Sequence, residues 1–144
     1  MMKKRLTSLA LSAMMVLSMV PATAFAAKDA GTPPTYNSAT GCYEISTPAQ
    51  LLYLAGKWKD GAPRDGHYVL TADIDMTGVK GFKPIASKKE QGFTGTFDGQ
   101  FHSIKGLRVE YEKKYAGLFG YVGNQDDQAY IKDVALLDCY VTGQ

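Results

Sequence analysis

The sequence predicts an all-β body: a parallel β-helix of about three coils behind an N-terminal capping α-helix. Three observations carry that prediction. From His67 onward, apolar and polar residues alternate with period two in a series of short runs. Gly-, Asn-, Asp- or Lys-rich corners separate the runs, and only one segment of the mature chain has helical periodicity. Finally, a strand-rich unit repeats imperfectly at offsets of 22 and 27 residues, which suits a stack of coils.

The chain opens with Lys3, Lys4 and Arg5, followed by an uncharged apolar stretch from Leu6 to Val20. Pro21 ends the stretch, and Ala24-Phe25-Ala26 places small residues where signal peptidase requires them. The apolar run is shorter than the roughly 18 residues a spanning helix needs. Residues 1–26 therefore read as a cleavable signal peptide, and the mature protein is expected outside the cytoplasm, secreted or at the cell surface. No membrane insertion is expected after cleavage.

Removing those 26 residues from 144 leaves 118, one modest domain. Three of the 16 basic side chains leave with the leader, so 13 remain against 14 acidic ones, a balance of −1. A body this close to neutral has no global field for nucleic acid or an anionic membrane. The basic group Lys80, Lys83, Lys88 and Lys89 lies in a Gly-rich connection and reads as a solvated loop.

Residues 27–41 (AKDAGTPPTYNSATG) show no apolar periodicity and read as a flexible leader, with the folded domain beginning at 42 and running to 144. A short strand is expected over 42–46. Thr47-Pro48 then signals a helix start: the Thr47 hydroxyl can accept from free amides of the first turn, and proline at the first helical position sacrifices no hydrogen bond. Leu51, Leu52, Leu54, Ala55 and Trp58 give one apolar face over 48–59, which Gly61 and Pro63 end. Over residues 67–76, Tyr68, Leu70, Ala72, Ile74 and Met76 fall on one side of a strand, and Thr71, Asp73 and Asp75 on the other. Further strand-like runs lie at 83–86, 93–98, 103–109, 118–122, 131–137 and 139–142.

In the repeat, Gly95-Thr96-Phe97 aligns with Gly117-Leu118-Phe119, and Ile104-Lys105-Gly106-Leu107 with Ile131-Lys132-Asp133-Val134. The five-residue difference falls in the polar stretch 123–128. Phe97, Ile104, Leu107 and Val109 would stack on Phe119, Val122, Ile131, Val134 and Leu136, each coil covering an apolar face its neighbour cannot bury alone. An open stack end leaves unpaired strand edges, and the helix at 48–59 is suited to close one of them. The chain stops in or just after a strand, so a truncated frame or self-association through an open C-terminal coil is expected. Cys42 and Cys139 would then lie about three inter-strand spacings of ~4.8 Å apart, too far for a bridge, so two free thiols are expected.

Gly117-Leu118-Phe119-Gly120 resembles the motif of the GLUG repeats found in bacterial surface proteins and in the non-catalytic region of some immunoglobulin A metallopeptidases. The ordered segments YEISTPAQLLYLA (43–55), YVLTADIDM (68–76), Pro84-Ile85, FTGTFDG (93–99) and Ile104-Lys105-Gly106-Leu107 are similar to those preceding the motif there. In that family Asn-Gly commonly follows FDG; Gln100-Phe101 stands here instead. The resemblance implies a right-handed β-helix on secreted or wall-attached proteins, and it brings no catalytic residues with it.

Three groups of side chains invite a chemical reading. Asp73 and Asp75, two apart on a strand, project from the same face and could hold calcium or share acid–base work, although solvated outward carboxylates are the favoured reading. No other cofactor is suggested. Asp126-Asp127 with Asn124 reads as a polar loop tip rather than a cation site, and His67 and His102 read as surface residues because no serine or cysteine nucleophile has a local motif. Tyr111, Tyr115, Tyr121, Tyr130 and Tyr140 are candidates for an outward aromatic face that binds carbohydrate or an extracellular protein. The expectation is a non-enzymatic, adhesin-like module; a fragment of a β-helical polysaccharide-degrading enzyme, or an inert scaffold, are the alternatives.

Overall fold

The computed structural model describes residues 31–56 and 62–144. The expected signal peptide over 1–26, the start of the leader, and Trp58 with the end of the expected helix lie outside the described residues. Chain order is β1 (Thr35–Asn37), β2 (Cys42–Ile45), α1 (Pro48–Gly56), β3 (His67–Leu70), β4 (Ile74–Asp75), a 3-10 turn at Lys89–Gln91, and β5 (Thr96–Asp98). Then follow β6 (Ser103–Lys105), β7 (Arg108–Glu110), β8 (Tyr130–Lys132), β9 (Ala135–Leu137) and β10 (Tyr140–Thr142).

The helix start is built as its residues dictate. The Gln50 amide donates to the Thr47 hydroxyl at 3.3 Å, while Gln50 Oε1 accepts from the Ser46 amide at 2.8 Å. Two amides without helical partners are thus satisfied reciprocally, which explains why Gln50 is buried although polar. Leu51, Tyr53 and Leu54 join Ile45, Tyr68, Phe97 and Ile104 in one buried cluster.

The strands fall into three sheets, ordered β1-β2-β3-β5-β8, β4-β6-β9 and β10-β7. Within the first, Tyr43 is level with Tyr68, Tyr68 with Phe97, and Phe97 with Ile131. In the second, Ile74 is level with Ile104 and Ile104 with Leu136; in the third, Val109 is level with Val141. Rows of like apolar residues thus run across each sheet, and burying their inner faces is the main stabilising term. Aromatic rings add contacts between rows: Tyr43 stacks on Tyr68 at 5.1 Å, and Phe119 meets both Phe93 (5.2 Å) and Phe97 (5.4 Å, edge-on).

Four expectations are corrected. The right-handed parallel β-helix of about three coils is overturned: the strands form three separate sheets of two to five strands, and the largest is mixed, because β1 runs antiparallel to β2. The leader over 27–41 is not wholly flexible. Thr35–Asn37 fills the free edge of β2, the Asn37 side chain donates to Glu44 at 2.7 Å, and Thr32 donates to the Ala49 carbonyl. The single strand over 67–76 breaks at 71–73 into β3 and β4, which belong to different sheets, while its apolar side still faces inward. Gly106, at φ 66°, breaks 103–109 into β6 and β7 in the same way.

The repeat register is the fourth. Phe97 lies beside Ile131, whereas Phe119 pairs with Ile85 and Val122 with Phe93. True neighbours are therefore about 29–34 residues apart rather than 22 or 27. The physical cause is close backbone packing at the corners. A Cβ on Gly95 would lie 2.1 Å from the Gly66 carbonyl oxygen, and one on Gly99 would lie 2.3 Å from that of Asp133, so each glycine fits one neighbour only. Phe97, Ile104, Leu107 and Val109 are buried as expected, but Ile131 and Leu136, on strands that end their sheets, are 39% and 47% exposed.

Candidate functional site

Asp73 and Asp75 are each engaged by backbone close at hand. Asp73 Oδ1 accepts from the Ser103 amide at 2.7 Å and its hydroxyl at 3.2 Å, with His102 Nδ1 at 3.4 Å. These bonds, the Ser103 amide foremost, hold its carboxyl below the usual range. Asp75 Oδ1 accepts from the Thr77 amide at 2.9 Å, and Thr77 lowers its pKa likewise. One aspartate therefore ties the turn after β3 to the start of β6, and the other closes its own turn. Among the described residues no group of three or more His, Cys, Asp or Glu side chains is placed to hold a metal ion.

A hydroxyl, an imidazole and a carboxylate meet here, but in an order unlike a nucleophilic relay. Ser103 Oγ donates to the same carboxylate oxygen that His102 Nδ1 faces, so the hydroxyl is directed away from a base. His67 heads β3 on its outer side. Cys42 and Cys139 are both free thiols.

The turn between β5 and β6 is the most tightly specified piece of this surface. The His102 amide donates to the Gly99 carbonyl at 2.8 Å, closing a four-residue turn with Gln100 and Phe101 at its centre. Both central residues have positive φ, 47° and 63°, the signature of a type I′ turn, which favours Asn-Gly. The turn is tied on either side: Gln100 N–H to Asp98 Oδ1 (2.9 Å), Phe101 N–H to the Asp133 carbonyl (2.8 Å), Gly99 N–H to the Lys132 carbonyl (2.9 Å). Left-handed backbone costs a non-glycine residue about 1–2 kcal/mol. Phe101 accepts that cost with its ring 87% exposed. The sequence reading overlooked Phe101 in favour of tyrosines; Asp98-Gly99 ahead of it was the available signal of a turn.

The tyrosines do not form one face. Tyr115 and Tyr121 are brought together, ring centres 4.8 Å apart. Tyr130 stands in the first sheet, its hydroxyl 3.3 Å from Gln128 Oε1, and Tyr140 in the third, under the Arg108 guanidinium at 4.6 Å. Tyr111 packs partly against the core. Elsewhere, Arg64, Glu90, Gln91, Thr94 and Asn124 line an open polar cleft of about 770 Å³. On its rim Asn124 Oδ1 accepts from the amides of Asp126 and Asp127 at 2.7 Å each, so that polar loop is a self-bonded turn.

No family model matches the chain, and no solved structure matches it. The chain is similar to a segment of Halomucin from Haloquadratum walsbyi, with 32% identity over 111 residues, 70% of this chain but 1% of Halomucin. The chain thus spans about a hundredth of that relative's length.

Proposed function

We propose that this is a secreted or surface-exposed, non-enzymatic recognition module, adhesin-like, that contacts carbohydrate or an extracellular protein. The observation that carries the reading is the display of aromatic rings on polar corners: Phe101, Tyr115, Tyr130 and Tyr140 are all half-exposed or more. Similarity to a segment of Halomucin, the export-type N-terminus and the resemblance to GLUG-motif surface proteins support it. Among the described residues no helix is long and apolar enough to cross a membrane. The test is a glycan and matrix-protein array probed with the mature chain, alongside an assay for polysaccharide cleavage. Retention without new chain ends, weakened by Tyr115→Ala or Tyr130→Ala, supports recognition. Turnover points instead to a polysaccharide-degrading enzyme, and inertness in both assays to a scaffold.

A second reading, self-association, has its own observation. β8, β9 and β10 each end a sheet, and Leu136 and Val141 on them are 47% and 45% exposed. Unpaired edges beside exposed apolar side chains accept further strands. Light scattering should show concentration-dependent association that Leu136→Lys abolishes; a monomer at all concentrations rejects this reading.

A further inference from the structure

We infer that the Gly99–His102 turn is a preformed platform for a neutral or amino pyranose saccharide, with the Phe101 ring as the stacking surface. The inference deepens the recognition reading above and rests on it.

The turn combines two unfavourable choices at one position. Positive φ at Phe101 calls for glycine or asparagine, and 87% exposure leaves the ring without packing to offset the strain. Neither choice aids folding. What they produce is an aromatic face fixed in space, since hydrogen bonds from Gln100, Phe101 and Gly99 anchor the turn to Asp98, Asp133 and Lys132. A fixed ring loses little freedom when a ligand settles on it.

Polar groups around the ring set the ligand class. Gln100 and His102 flank it in the chain, and Asp73, with its side chain 72% exposed, lies 3.4 Å from the His102 ring nitrogen. One isolated ring bordered by an amide, an imidazole and a carboxylate suits the C–H face and hydroxyls of a pyranose. It lacks the surrounding apolar area that a protein hot spot needs to exclude water. Charge narrows the class further. Lys132 reaches Asp98 at 3.0 Å and Asp133 at 3.9 Å, so three carboxylates with Asp73 face one ammonium group, a formal balance of −2. Uronates and sulfated sugars are disfavoured there, while neutral and amino sugars are not.

The test is affinity electrophoresis of the mature chain in gels containing galactomannan, dextran, chito-oligosaccharide or polygalacturonate, together with thermal melts. The wild type should be retarded by a neutral or amino polymer and not by polygalacturonate. Phe101→Gly should melt about 3 °C higher, because strain is relieved, and bind about tenfold more weakly. Phe101→Ala should lose binding without the gain in melting temperature, and Phe101→Trp should keep binding. A wild type that no polymer retards overturns the saccharide reading altogether. A Phe101→Gly protein that binds as well as the wild type overturns only the assignment to this turn, and retardation by polygalacturonate alone overturns the ligand class.

Discussion

Substituting Gly95 by alanine tests the packing that sets the strand register. Its Cβ would lie 2.1 Å from the Gly66 carbonyl oxygen, 2.8 Å from the Asp65 carbonyl carbon and 2.9 Å from the Gly66 nitrogen. All three are backbone atoms, so no side chain can swing aside, and the strand must retreat by about 1 Å to reach ordinary contact. That movement strains three bonds across the sheet: Thr94 N–H to Arg64 O at 3.0 Å, Thr96 N–H to Gly66 O at 3.1 Å, and Tyr130 N–H to Gly95 O at 3.0 Å. At roughly 1 kcal/mol net per bond, with about 1–3 kcal/mol for overpacking, the cost is about 4–6 kcal/mol. Restricting the unfolded chain returns about 0.5–1 kcal/mol, leaving about 3–5 kcal/mol. Against a total stability of about 5–15 kcal/mol, much of the folded population would be lost. Urea denaturation followed by circular dichroism measures it, with Gly41→Ala as the control. Gly41 has φ 71° but nothing within 4 Å, so that variant should lose only about 1–2 kcal/mol of backbone strain. If the two variants were equally stable, corner contact would not be what fixes the register.

Two further outcomes follow from the core and the corners. Phe97→Ala should cost about 3–5 kcal/mol, because the ring is fully buried among Tyr68, Phe119 and Ile131, whereas Ile131→Ala at the sheet end should cost about 1 kcal/mol or less; equal losses in urea would contradict the observed ends of the sheets. Asp73, Asp75 and Asp98 have depressed pKa values, Asp98 chiefly through the Gln100 amide and then Lys132. Their contribution is complete above the ordinary aspartate pKa of about 4 and disappears as pH falls through the lower folded values. Asp98→Asn should therefore lower stability at neutral pH and flatten its decline in acid, as read from melts between about pH 2 and 7; an unchanged acid limb would show that these bonds do not couple protonation to folding.

The legible part of the fold was the inward alternation. Tyr68, Leu70, Ile74 and Met76 are buried as their period-two spacing demanded, and so are Phe97, Ile104, Leu107 and Val109. The helix start was equally readable, because Thr47, Pro48 and Gln50 act through bonds within a few residues. Asp73 and Asp75 were rightly placed on an outer face, yet the Ser103 amide that occupies Asp73 comes from 30 residues away and leaves no local trace. Tyr115 and Tyr121 were singled out and do meet, while Tyr130 and Tyr140 were expected beside them and stand in other sheets.

Composition and periodicity by themselves determined which side chains turn inward, where the helix begins and which segments extend, because each depends on neighbours in the chain. Only the tertiary structure decided that Phe97 lies beside Ile131 rather than below Phe119, that Thr35–Asn37 pairs antiparallel with β2, and that Phe101 is held in the open. Strands with similar apolar patterns are interchangeable partners until their corners meet. The choice among them is made by backbone atoms two to three ångströms from where a Cβ would be, a distance that no local pattern encodes.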